Sequence, residues 1–452
     1  MSQLIYFAIT IGILVFIHEF GHFAAAKLCK MRADIFAIGF GQRLFGFNKI
    51  NGFTFGSLPK DFDGQGHTDY RLNLVPLGGY VKIAGMVDES FDTSFANKEP
   101  EPYEFRAKPT LQKAFVITAG VLMNLLLALL VFWGGNFFQG KQYKKTTTVG
   151  YIAPQSAAQK AGFVEKDKIL SVNGKEVVYW EELNNEIEKS SKASSVNFTV
   201  LRGSQKVDLN VKTSLIPSEK SQEEFLLPAE VKPGITDVAG RSPAKKAGIQ
   251  AGDILLELNN VPLVDVIQTT QLISSHKNVT MPIKLLRNGK DTVSFKITPG
   301  PDGKIGIVLA DLFTGPTELH TFGFFESFYY GSVDIYHVTV MTFTMFKKVI
   351  TGNIQFSQAF GGPIKIAQYA AKFADSGFVS FLSFLAMLSL SLAIINILPI
   401  PALDGGHFVI IIIEGIIKRE IPLKLKIAIQ NTGFVLLLIL MAFIIYNDIL
   451  SM

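Results

Sequence analysis

Four long apolar runs divide the chain. Residues 1–17 carry no charge and Leu4–Ile17 is almost wholly apolar, which predicts a helix over 4–26. A cleaved leader would open on basic residues; none precedes this run, so the helix is expected to stay in the protein. Ala114–Phe138 is a second uncharged run between Lys113 and Lys141, Ser376–Leu403 a third, and Ile427–Asn447 a fourth. The 4–26 helix and each of the other three runs reach the ~20 residues needed to cross a bilayer's hydrocarbon core. Pro399 and Pro401 predict that the third helix breaks before its run ends. His407–Ile417 is apolar but too short to cross, and Glu414 interrupts it. Residues 322–346 hold nine Phe or Tyr with few charges and predict an interfacial helix, a buried helix of a soluble part being the competing reading.

Between the second and third runs the pattern changes to short alternating stretches, and it repeats. Ser156–Gly174 reads SAAQKAGFVEKDKILSVNG and Ser242–Asn260 reads SPAKKAGIQAGDILLELNN, at a constant offset of 86 residues with no gap. VLRGSQKVDLNVK and LLRNGKDTVSFKI close the two copies. Each copy predicts a short helix, a glycine turn at Gly162 or Gly248, an aspartate turn at Asp167 or Asp253, then a strand. The pattern resembles tandem PDZ domains of the bacterial type, which take an extended peptide at a sheet edge. A duplication without a ligand is the alternative, since a fold does not by itself carry a function.

Composition narrows the class. Hydrophobic residues make up 48% of the 452 and charged residues 18%, where a soluble domain carries ~25% charged; mean hydropathy is +0.31. Disordered, collagen-like and disulfide-rich secreted chains are excluded. A net charge of +5 with no Lys/Arg run argues against a nucleic-acid partner. The single Cys29 permits neither an internal disulfide nor a cysteine-built zinc site.

Basic residues near span ends predict orientation. Lys27, Lys30, Arg32 and Arg43 follow the first span, and Lys418, Arg419, Lys424 and Lys426 precede the fourth. The 27–113 and 404–426 loops are therefore expected to face the cytoplasm, with both tails and the repeated segment outside.

His18-Glu19-Phe20-Gly21-His22 is an HExxH motif at the end of the first run. Positions i and i+4 share a helix face, so both imidazoles can bind one zinc, and Glu19 can take a proton from the attacking water. Ionisable side chains in a membrane segment are costly without partners, which favours a functional site over a polar interfacial cap. Catalytic zinc needs a third protein ligand and an open position. No third ligand follows on the same helix. The candidate is Asp404 in Asn396-Ile-Leu-Pro399-Ile-Pro401-Ala-Leu403-Asp404-Gly405-Gly406, with His407 as its rival and a plain loop aspartate as the alternative.

The HEFGH helix, the NILPIPALDGG segment and two interposed PDZ-like copies together resemble the site-2 protease family, in its Gram-negative branch with tandem PDZ domains. The resemblance covers nearly the whole chain. It implies zinc held by His18, His22 and Asp404, Glu19 as general base, and Asn396 holding substrate near the metal. Ala119-Gly120-Val121-Leu122-Met123-Asn124 is similar to the family's AGPxxN stretch, with Val121 where proline is usual, which puts the local helix bend in doubt. Gly361–Ala367 is similar to another family stretch. Gly39-Phe40-Gly41 and Val75–Val81 correspond to a membrane-entering β-hairpin and loop beside the active site, which marks Gly78, Gly79 and Tyr80 as candidate substrate-binding residues; an ordinary cytoplasmic hairpin is the alternative.

The expected fold is an α-helical polytopic membrane protein with four transmembrane helices and two α+β PDZ domains inserted between the second and third. Expected segments are 1–138 with the first two spans, the HExxH motif and the hairpin; 139–222 and 223–310 as PDZ-like domains; 311–375 as amphipathic interfacial helices; and 376–452 with the last two spans and the LDG motif. The expected activity is that of a zinc metalloendopeptidase of the bacterial inner membrane, cutting single-span proteins within the membrane. A pre-trimmed anti-sigma factor is the implied substrate, remnant signal peptides a second class. Membrane lipid, and peptide or trimmed substrate at the PDZ pair, are the other expected partners. A catalytically silent PDZ scaffold is the rival reading, and a metal transporter a weaker one, because polar residues cluster at one depth.

Overall fold

The computed structural model describes residues 2–59, 62, 64–86, 99–217, 225–352 and 361–450. The chain forms two units, Met1–Gln139 with Phe322–Leu450, and Gly140–Thr321.

The first unit begins with helix α1 (Ser2–Leu28), strands β1 (Ala33–Asn48), β2 (Gly52–Phe55) and β3 (Asp69–Ile83), and helix α2 (Thr110–Gln139). It resumes with α3 (Phe324–Ile350), α4 (Pro363–Asp375), α5 (Phe378–Ile397), α6 (Asp404–Ile417) and α7 (Leu423–Leu450). Among the described residues, α1, α2, α5 and α7 are long and apolar enough to cross a membrane, at the four runs seen in the sequence. Such a helix satisfies its backbone internally, so only its side chains need to suit lipid. Accordingly α7 leaves Phe434, Leu436, Ile439, Met441 and Phe443 exposed.

Small residues bring α1 and α2 together. A Cβ on Gly21 would strike the Ala119 carbonyl, so the two backbones touch there. On its other side α2 packs against α5 through Ala128, Ala386, Leu390 and Ile394.

The helix expected at an interface is α3, and it runs along α2. Trp133 Nε1 donates to the Phe324 carbonyl at 3.1 Å, and Asn136 Nδ2 donates to Asp334 Oδ2 at 2.8 Å. Farther along, Ile335 and Val338 pack on the cluster around Ala128. Gly331 permits this approach, since a Cβ there would lie 2.9 Å from the Trp133 nitrogen. Helix α4 is tied to α7 by buried Asp448, which accepts from the backbone nitrogens of Gly362, Ile364 and Lys365 at 3.1–3.2 Å. That carboxylate takes up amide donors a helix start leaves unpaired.

The strands form a three-stranded antiparallel sheet in the order β2-β1-β3. Its polarity is inverted relative to a soluble sheet. Arg43 and Asp69 are 4% and 3% exposed, while Phe53 and Phe55 are 58% and 79% exposed. Arg43 donates to the Thr54 and Gly56 carbonyls and to Thr54 Oγ1, and pairs with Asp69 at 3.3 Å; Arg71 pairs with the same carboxylate at 2.9 Å. This buried network binds all three strands, because each charge has fixed partners. Phe45, Phe53 and Phe55 form an exposed aromatic cluster at the same end.

The second unit carries the sequence repeat down to single hydrogen bonds. The first copy is a sheet ordered Lys175–Glu176, Lys168–Val172, Ser195–Arg202, Gln205–Lys212. The second is ordered Asp291–Ile297, Met281–Arg287, Ile254–Leu258, Val231–Val238, Ile307–Phe313. Asp167 accepts from the Val164 nitrogen and Asp253 from the Gln250 nitrogen, both at 2.9 Å. Each aspartate also holds an arginine: Arg202 donates to Asp167 at 2.9 and 2.8 Å, Arg287 to Asp253 at 2.8 and 2.7 Å. The same arginines reach the carbonyls of Gly162 and Gly248, which turn at φ +90° and +85°. The Ile307–Phe313 strand crosses the boundary expected at 310. Beyond it Thr317–His320 pairs with Lys141–Lys144 and closes the unit on itself. The 311–375 segment therefore opens on strands, ahead of the helices expected there.

Candidate active site

The HExxH residues lie in the second half of α1, and His18 and His22 share a face as their spacing requires. The third residue arrives through a broken segment. Leu398 is extended before Pro399, as the residue preceding a proline must be, and ends α5. Ala402 turns at φ +70°, and α6 starts at Asp404. Gly405 and Gly406 let this segment fold tightly: a Cβ on Gly405 would strike the Leu398 and Ile397 carbonyls, and one on Gly406 would lie 3.0 Å from Pro401 Cα.

The result is one convergent group. His18 Nε2 stands 3.2 Å from Asp404 Oδ2, His22 Nε2 stands 3.4 Å from the same oxygen, and the two Nε2 atoms are 3.2 Å apart. Among the described residues it is the only His/Cys/Asp/Glu trio with metal-ligand spacing. The three side chains are 12–18% exposed. Asp404 lies outside the spanning helices.

These residues fit a metal ion. Asp404 Oδ2 is buried with no hydrogen-bond partner. His22 Nδ1 is 2.8 Å from the Val116 carbonyl, which can only accept, so Nδ1 carries the proton and Nε2 faces the group with its lone pair. Two nitrogens and a carboxylate oxygen are the donor set of a three-ligand zinc site. Gly120 of α2 makes the room: a Cβ there would strike His22 Nε2 and lie 2.9 Å from His18 Nε2.

The other sequence candidates divide. Glu19 is 9% exposed beside β3, where a Cβ on Gly79 would lie 3.0 Å from Glu19 Cγ and 2.7 Å from the Ala37 carbonyl. Asn396 is near the group, its Nδ2 3.5 Å from His18 Nε2. Gly78 and Tyr80 pack on the Phe40 ring instead, Tyr80 stacking at 6.2 Å. His407, the rival ligand, lies outside the trio against Gln430, whose Nε2 is 2.9 Å from its Nε2. Two supports had no role in the sequence reading. Val116 acts through a backbone carbonyl, which no side-chain pattern marks. Asn124, 3.2 Å from His18 Nδ1, closes the AGPxxN-like stretch, which marked the residue in the sequence without giving it a role.

The model of peptidase family M50 matches residues 6–440. A Yersinia pestis protein named protease RseP is 31% identical over 476 residues, covering 98% of this chain and 97% of the relative. A Haemophilus influenzae protein named regulator of sigma E protease is 30% identical over 466 residues, covering 99% and 98%. A Vibrio cholerae relative with a zinc-metalloprotease name is 30% identical over 464 residues, covering 98% and 97%. With a family match over almost its whole length, four apolar helices and full-length relatives of these names, the chain belongs to peptidase family M50, the site-2 proteases, and is a membrane zinc metalloprotease.

Proposed function

We propose that this enzyme cuts single-span membrane proteins within their transmembrane segments, with zinc held by His18, His22 and Asp404. The observation that carries the reading is the meeting of His18 Nε2, His22 Nε2 and Asp404 Oδ2 within 3.2–3.4 Å, from two distant parts of the chain. Bound there, zinc would polarise the scissile carbonyl and lower the pKa of the attacking water. Glu19, one residue from a ligand on the same helix, accepts that water's proton and returns it to the leaving amine. Asn396 holds the substrate backbone beside the group through its amide.

A peptide bond inside a helix is shielded, its carbonyl already hydrogen-bonded, so hydrolysis requires local unwinding. An unwound segment needs backbone partners, and a strand supplies them. The β3 stretch of Gly78, Gly79 and Tyr80 suits this role. Among the described residues no strand pairs the outer edge of β3, and Gly79 brings that strand against Glu19. The inverted sheet, with charges inside and phenylalanines outside, suits immersion of its far end in lipid.

The repeated unit is read as a PDZ pair that selects peptide or trimmed substrate. The relatives' names as regulators of sigma E favour a pre-trimmed anti-sigma factor over remnant signal peptides as substrate. The basic residues after α1 and before α7 favour an inner-membrane enzyme with its metal group toward the cytoplasm and its tails and PDZ pair in the periplasm. A silent scaffold would have no use for two imidazole nitrogens gathered around an orphan carboxylate oxygen. The test is cleavage of candidate single-span proteins by the purified enzyme in liposomes, with and without a zinc chelator. Chelator-sensitive cleavage inside the span is expected; binding without cleavage would favour the scaffold.

A further inference from the structure

Asn124 is fully buried in α2, where a free amide is costly. Its Oδ1 has no hydrogen-bond partner, and its Nδ2 lies 3.2 Å from His18 Nδ1. Two arrangements fit this contact. Either the amide donates to Nδ1, which puts the imidazole proton on Nε2, or the carboxamide is turned over and Oδ1 accepts a proton held on Nδ1. The first leaves Oδ1 orphaned and aims a proton at the point where His22 Nε2 and Asp404 Oδ2 already converge. The second satisfies Oδ1, leaves Nδ2 in its former place without a partner, and frees the Nε2 lone pair in one half-turn of the amide. The lone pair at the point of convergence is what favours it.

We propose that Asn124 is a positioning residue of the metal site, holding His18 as the Nδ1–H tautomer with Nε2 free to ligate. The proposal rests on the zinc-site reading above and goes beyond it. Its geometry has a counterpart one ligand away. Val116, Gly120 and Asn124 recur every four residues and so form one stripe of α2. Val116 fixes His22 through its carbonyl, Gly120 gives both rings clearance, and Asn124 addresses His18. The stripe is itself anchored: Ser389 Oγ of α5 donates to the Asn124 carbonyl at 2.8 Å, a buried contact. Helix α5 carries Asn396 and leads into the segment that ends at Asp404, so this bond sets the imidazole support and the carboxylate ligand in one register.

The test is zinc affinity of the full-length protein in detergent micelles, measured by competition with a chromophoric chelator. Asn124→Leu keeps the size and removes the acceptor; it should weaken zinc 10–100-fold, while Asn124→Asp, which keeps an oxygen acceptor, should stay within about threefold of wild type or bind tighter. Wild-type affinity in Asn124→Leu, or equal losses in both variants, would overturn the positioning role. Failure of the wild-type protein to bind zinc would instead overturn the zinc-site reading. Should Asn124→Leu not fold, nitrogen-15 NMR of the zinc-loaded wild-type protein decides the same point. A protonated Nδ1 on His18 is expected, and a proton-free Nδ1 would refute the proposal.

Discussion

Nδ1 of His22 lies 2.8 Å from the carbonyl oxygen of Val116, and this contact decides which ring nitrogen is free. A carbonyl only accepts, so the proton of a neutral imidazole stays on Nδ1 and the lone pair on Nε2 points at Asp404. On the proposed zinc reading, His22 is thus oriented by the backbone of a neighbouring helix before any ion arrives, which lowers the cost of ordering the site.

Glu19→Gln nearly preserves shape and removes the base. Zinc should remain near one equivalent by metal analysis, and cleavage should fall by ~10² or more. Full activity with zinc present would remove Glu19 from the mechanism.

Asp404→Ala removes one of three ligands, so zinc itself should be lost or weakened. Metal content after dialysis reads this directly, and the contrast with Glu19→Gln separates ligand from base. In the wild-type protein a chelator should stop cleavage and added zinc restore it.

Gly79→Val places a side chain where a Cβ already meets the Ala37 carbonyl at 2.7 Å and Val15 Cγ1 at 2.8 Å. Strand β3 must then shift from α1, and cleavage should fall about 10²-fold with zinc retained, because a 1 Å misplacement suffices for such a loss. The matching substrate experiment is to stabilise the scissile helix with leucines, which should slow cleavage. An unchanged rate would argue against delivery to a strand.

Asp253→Ala leaves Arg287 without its carboxylate in the second copy of the repeat. The same change also takes the acceptor from the Gln250 amide, so the second copy should lose stability. Hydrogen exchange over residues 231–313 should rise while α1 and α2 keep their protection. Asp167→Ala should do the same in the first copy. No change in either variant would mean that the repeated ion pair has no structural weight.

Much of the architecture is legible in local pattern. Spanning helices are readable because each must satisfy its own backbone and present apolar side chains, so 20 or more residues carry the message together. The break after Leu398 is readable because Pro399 restricts its predecessor. The repeat is readable through its turn residues, and HExxH through the helical period. Helix α3 is less legible: its phenylalanines fit an interfacial or a buried helix, and Gly331 against Trp133 shows that one face meets α2 while Phe325 and Tyr329 stay exposed.

What only the tertiary structure decided is which distant groups meet. Arg202 and Arg287 lie 35 and 34 residues from the aspartates they hold, and nothing in that spacing announces the pairs. Asp404 and His407 were rival ligands in the sequence because both follow the same broken segment; the tuck of Gly405 and Gly406 aims Asp404 at the imidazoles, while His407 meets Gln430. Val116 contributes a carbonyl that any residue would possess, and Asn124 lies 106 positions from the histidine it touches. Residue type and period determine helices, turns and candidate donors, because those are properties of neighbours along the chain. The convergence of His18, His22 and Asp404 and its supports depends on how closely α1 and α2 approach, and Gly21 and Gly120 permit that distance only once the helices are packed.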